Sequence, residues 1–157
     1  MALHVVIYQP EIPANTGNIA RTCAATGTVL HLIGPLGFSM DDKRVKRAGL
    51  DYWEFVNIRY HDSLEDFYKS NKGGEYFYLT KHGSKPHTDF DYSQPEKDYY
   101  FIFGKETTGL PEDVLARNKN RALRVPMNDN VGSLNLSNTA AVLVYEALRQ
   151  RDYPNLF

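Results

Sequence analysis

HVVIYQPEIPANTGNIAR, residues 4–21, decides the fold. His4 to Tyr8 is a β-branched and aromatic run whose apolar residues do not alternate with polar ones. A strand of that kind is buried on both faces, as in a parallel sheet covered by helices. Pro10 and Pro13 close it, and Asn15 to Thr26 reads as a helix stopped by Gly27. One strand, one punctuated loop and one helix make half of a βαβ unit.

The same alternation continues outward. Val29 to Ile33 is a second strand, ended by Gly34 and Pro35. Asp41 and Asp42 precede a basic helix reaching Ala48, and Phe55 to Tyr60 is predicted as a third strand. Asp62 or Ser63, with Glu65 or Asp66 downstream, starts a helix ending near Gly73. Glu75 to Thr80 and Asp98 to Phe103 are further strands, and Pro111 opens a helix to about Asn118. Ala122 to Met127 is the last strand and Ser137 to Asp152 the last helix. The expected fold class is α/β, a mainly parallel sheet flanked by helices, in a single domain over residues 1–157. Ligands of such sheets bind beyond the carboxyl ends of the strands. That directs attention to the loops after Tyr8, Thr80, Phe103 and Met127.

Composition narrows the function classes. The 157 residues are 42% hydrophobic and 24% charged, values of a globular chain rather than a disordered one. A formal charge of −1 excludes a polycation that coats nucleic acid by bulk charge, so an anionic partner needs a local patch. Cys23, the single cysteine, has no intramolecular partner, which fits a reducing compartment, and no sulfur-rich metal site is expected. The apolar run at the start is too short for a signal peptide or a membrane span, so a cytoplasmic protein without a membrane partner is expected. Aromatic residues reach 13%, with eleven tyrosines.

Three loops carry the candidate chemistry. The first lacks G-x-G-x-x-G, and no P-loop pattern occurs, which disfavours dinucleotide enzymes and P-loop NTPases. It offers Asn15, Thr16, Gly17 and Asn18 at a helix start with Arg21 one turn on, either a phosphate or sugar site or a plain capping turn. The second, FIFGKETTGL at 101–110, sets Glu106, Thr107 and Thr108 between two glycines. The third, RVPMNDNVGSLNLSNTAA at 124–141, gathers Ser133, Asn135, Ser137 and Asn138. Ser137 or Asn138 is expected to cap the last helix, which leaves Ser133 and Asn135 unexplained.

N-x-G-N-x-x-R at Asn15–Arg21, F-G-x-E-x-x-G-L at Phe103–Leu110 and P-M-x(5)-S-L-N-x-S at Pro126–Ser137 resemble, in order and spacing, the three motifs of the SPOUT superfamily of RNA methyltransferases. YQPEIPANTGNIAR, DDKRVKRAGLDYWEF and VYEALRQ resemble bacterial members that 2′-O-methylate the wobble nucleotide, C34 or U34, of leucine tRNAs. The resemblance implies a C-terminal trefoil knot and S-adenosylmethionine as cofactor, held by Leu79, Gly104, Val125, Met127, Ser133 and Leu134. It implies a homodimer whose active sites border the subunit interface.

For catalysis the resemblance points to Arg21, as base or as activator of the ribose hydroxyl. A guanidinium is nearly always protonated, so polarising the hydroxyl is the easier role. Glu106 is either a base or an orienter of its own loop, and Asn15, Ser133 and Asn135 orient the reactants. Asn15, Lys43, Arg44, Arg47 and Tyr145 are the expected RNA contacts, with Lys81, His82, Lys85, Arg149 and Arg151 as secondary candidates. Tyr145 has the alternative of filling an interface. No histidine spacing matches a metal site. Other RNA positions, and a noncatalytic RNA- or adenine-binding module on the same fold, stay open at this stage.

Overall fold

The computed structural model describes residues 2–157. Among them, seven parallel strands form one sheet in the order β3-β2-β1-β6-β4-β7-β5. The strands are β1 (Leu3–Tyr8), β2 (Val29–Ile33), β3 (Ile58–His61), β4 (Glu75–Leu79), β5 (Lys85–Pro86), β6 (Tyr99–Phe103) and β7 (Ala122–Arg124). The helices are α1 (Pro13–Thr26), α2 (Lys43–Gly49), α3 (Leu64–Ser70), α4 (Glu112–Arg117) and α5 (Leu136–Gln150).

The two sheet faces carry separate cores, which is why the central strands read as unbroken apolar runs. On one face, Val5, Ile7, Leu30, Leu32 and Phe101 pack against Ile19 and Cys23 of α1 and Leu143 and Val144 of α5. On the other, Val6, Ile33, Tyr100 and Ile102 pack against Phe67 of α3 and Val114 of α4. The strand tyrosines divide accordingly, Tyr99 joining the first core and Tyr78 and Tyr100 the second. Cys23 is 1% exposed, and burial pushes its thiol up to about 12, so it serves as a small apolar residue.

Several element ends depart from the sequence reading. α1 begins at Pro13, two residues before Asn15, because proline needs no N–H partner in a first turn. Pro111 precedes α4 as its N-cap rather than occupying its first turn. Residues 50–55 form a 3-10 turn, so β3 starts only at Ile58, where its register with Leu30 begins. β7 ends at Arg124, short of Pro126, which has no N–H to give a ladder. Neither Ser137 nor Asn138 caps α5; Asn135 does, its Oδ1 accepting the backbone N–H groups of Ser137 at 2.9 Å and Asn138 at 3.4 Å. Ser63 is the N-cap of α3, accepting the Asp66 N–H at 3.1 Å.

β7 lies between β4 and β5, so the 80–84 connection has to cross it. Gly83 permits the crossing: a Cβ there would sit 2.3 Å from the Leu123 backbone carbon.

Candidate active site

The carboxyl ends of β4, β6 and β7 open into a cleft of about 750 Å³. Leu79, Gly104, Val125, Met127, Ser133 and Leu134, the residues expected to hold the cofactor, all line it, although they come from three separate loops. Met127 and Leu134 are 38% and 41% exposed, so their apolar side chains face open space rather than the core. Gly104 makes the turn out of β6 with φ +95°, and a Cβ there would meet the Tyr8 carbonyl oxygen at 2.6 Å.

Two polar stitches hold the cleft walls together. Asn135, besides capping α5, donates from Nδ2 to Asn15 Oδ1 at 3.1 Å, joining the first motif to the third. The Ser137 hydroxyl donates to Asn135 Oδ1 at 2.5 Å, which fixes that carboxamide. Glu106 joins the second motif to the first: its two oxygens accept the backbone N–H groups of Glu11 at 2.9 Å and Ile12 at 3.1 Å. Glu11 returns the contact, accepting the Thr107 N–H at 3.1 Å and its hydroxyl at 2.8 Å. These bonds to Thr107 hold the Glu11 carboxyl below the usual carboxylate range.

The remaining site candidates are distributed differently. Asn15 lines the cleft at 5% exposed, and its amide oxygen accepts from Asn135, so it is also a strut between the first and third motifs. Arg21 is exposed on α1 and does not line the cleft of its own chain; its guanidinium lies 4.8 Å over the Tyr52 ring. Arg44 is drawn off by Asp42, which accepts at 3.1 and 2.9 Å and caps α2 through the Arg44 N–H at 2.8 Å. Arg44 is thus a poorer phosphate contact than Lys43 or Arg47, both exposed on α2. Tyr145 is 45% exposed beside Val142 on the outer side of α5. Arg149 pairs with Glu146 at 2.9 Å, and Arg151 donates to the carbonyls of Tyr92 and Lys97, so these two cations are already engaged.

Lys81 and His82, weighed only as RNA contacts, line the cleft, and so do Lys105 and Thr139, which the sequence reading passed over. Thr139 follows Asn135 by one helical turn, the one signal that could have found it. No cluster of three or more potential metal ligands occurs among the described residues. No helix among them is long and apolar enough to cross a membrane.

The fold is that of solved RNA methyltransferases. The model of the SpoU rRNA methylase family matches residues 2–145, and the chain belongs to that family. A Bacillus subtilis protein, provisionally named a tRNA (cytidine(34)-2′-O)-methyltransferase, is 67% identical over 99% of this chain and 98% of its own. A structure solved to explain the 2-OH methylation of C/U34 on tRNA is 46% identical, covers 95% of each chain and superposes with a TM-score of 0.87. The SpoU methyltransferase AviRb from Streptomyces viridochromogenes, in complex with AdoMet, is 26% identical with a TM-score of 0.82 over 96% of this chain and 58% of that one.

Proposed function

We propose that this methyltransferase acts on the ribose 2′-hydroxyl of nucleotide 34, C or U, in leucine tRNAs, as a cytoplasmic homodimer that uses S-adenosylmethionine. The observation that carries the reading is the convergence of the second and third motifs on one cleft, with Asn15 of the first tied into its wall. The names of full-length relatives support nucleotide 34 as the position.

The cleft suits the cofactor. Its volume falls in the range of small-ligand sites, and Leu79, Val125, Met127 and Leu134 offer apolar surface for a flat purine. When bound, S-adenosylmethionine supplies an electrophilic methyl group on a sulfonium. The chain itself must orient the acceptor hydroxyl and dispose of one proton. Ser133 and Asn135 border the same space and are the orienters.

Glu106 has both oxygens committed to backbone N–H groups, so it positions the loop and is a poor proton acceptor. Arg21 stands outside its own chain's cleft. Val142, Tyr145 and Ile12 expose apolar surface on α5 and just before α1. A second subunit seated there brings Arg21 to the neighbouring cleft, where a guanidinium donates to the ribose oxygen and eases loss of its proton to solvent.

The test is methyl transfer to unmodified leucine tRNA, with mass spectrometry locating the product. One methyl on the ribose of nucleotide 34 is expected. Methylation elsewhere overturns the position, and no transfer by a protein that binds both substrates overturns the activity.

A further inference from the structure

A second concavity, about 660 Å³ in volume, shares no residue with the cleft. It lies between α2, the 3-10 turn at 50–55 and the outer strand β3. Met40, Trp53 and Ile58 form its floor, partly buried against the main core, and Tyr60 stands beside them 58% exposed. The indole N–H of Trp53 donates to the Lys46 carbonyl at 3.4 Å, which ties the ring to α2. Lys43, Lys46 and Arg47 make the rim. Lys43 and Arg47 are one helical turn apart, and neither has an ion-pair partner among the described residues. Lys46 has only the exposed Asp41, at 3.6 Å.

Aromatic faces beside unpaired cations are not what an apolar protein partner requires, since burying those cations would go uncompensated. They match single-stranded nucleic acid, whose bases stack on aromatic rings while its phosphates meet lysine and arginine. The place fits as well. Tyr52, next in the chain to Trp53, carries the Arg21 guanidinium on its ring. We propose that this concavity is a stacking subsite for unpaired nucleotides of the RNA substrate, with bases on Trp53 and Tyr60 and phosphates on Lys43 and Arg47. The inference rests on the RNA-modifying function proposed above and adds where the strand is gripped.

Trp53 is the single tryptophan of the chain, so its fluorescence reports on this site alone. The experiment titrates the full-length protein with unmodified leucine tRNA, following Trp53 emission and, separately, filter binding. Emission should be quenched in step with binding. Tyr60→Ala should weaken tRNA binding about ten-fold, in the range of one lost base–aromatic stack. Lys43→Ala and Arg47→Ala should each lower the salt slope of binding by roughly one. All three changes are at exposed side chains, so the variants remain folded and readable.

If tRNA binds with Trp53 emission unchanged and Tyr60→Ala binds as tightly as the parent, the subsite is refuted while the RNA reading stands. If emission changes with protein concentration in the absence of RNA, a second copy covers the concavity and the subsite is again refuted. If no RNA binds by either method, the proposed function falls and the subsite with it.

Discussion

Two polar networks tie this fold together, and they differ in exposure and in chemistry. At the cleft, Asn135 to Asn15 and Glu106 to Glu11 and Ile12 join segments distant in sequence through amides and carboxylates near solvent. On the α3 and α4 face, three histidines from β1, β2 and β3 form a chain. His4 Nδ1 meets His31 Nε2 at 2.9 Å, His31 Nδ1 meets His61 Nε2 at 2.9 Å, and His4 Nε2 reaches Asp98 at 3.4 Å. Phe67 and Tyr100 cover it.

A neutral imidazole has one donor and one acceptor nitrogen, so the Asp98 end sets every tautomer: each ring accepts from the next. That chain suits neutral His4 and His31 rings and fails when either is protonated, because two N–H groups then face each other. Burial lowers His4 to about 4 and His31 to about 3, and lowers His61 as well. The cleft network sets the shape of a site; the histidine network is a structural tie with a pH limit.

The largest effect that would separate the two networks is on turnover. Asn135→Ala removes the α5 cap and the link to Asn15 together. Methyl transfer should fall on the order of 100-fold, whereas stability should drop by only about 1 kcal/mol, the usual loss for an N-cap. Comparable losses of both would mean that Asn135 is merely structural.

Acid should strike the other network. The folded histidine values lie below the unfolded value near 6.5, so the unfolded chain takes up protons first as pH falls. Stability is therefore full above about pH 6.5 and declines toward pH 3–4. Between pH 7 and pH 5 the thermal midpoint should fall by roughly 5–10 °C. His31→Gln should flatten that slope, and an unchanged slope would put the acid sensitivity elsewhere.

Glu106→Gln should reduce turnover about ten-fold, since one of the two charge-assisted N–H contacts loses its acceptor, and should leave the pH–rate profile in place. A lost acidic limb would instead make Glu106 the base. The smallest effect belongs to Arg44→Ala, which breaks an exposed pair with Asp42. It should change tRNA affinity less than Lys43→Ala does and leave the thermal midpoint essentially where it is.

The central strands were legible because both their faces are apolar. The three loops were legible because their motifs occur together in order and spacing, although the first two, taken alone, also read as ordinary turns. Helix α3 announced itself through Ser63 and the acidic residues after it. What stayed hidden depends on register and packing. His4 and His31 become neighbours only because Val6 pairs with His31 across β1 and β2. The two-residue strand Lys85–Pro86 is too short to carry a period. Asn15, read as the first residue of a helix, lies inside one, because α1 begins two residues earlier, and it is buried with its amide oxygen held by Asn135. Arg21 sits on the same motif as Asn15, yet the helix turns it away from the cleft. Sequence spacing marked it without showing that it stands outside the cleft of its own chain.

The central claim is that the stitched cleft holds the methyl donor. Calorimetric titration with S-adenosylmethionine, on the parent protein and on Leu134→Arg, tests it most directly. Leu134 is exposed at the cleft, so the variant should fold, while arginine adds bulk and a positive charge against the sulfonium. The parent should bind at one site per chain and the variant at least 100-fold more weakly. No binding by the parent, or equal binding by both, would contradict it.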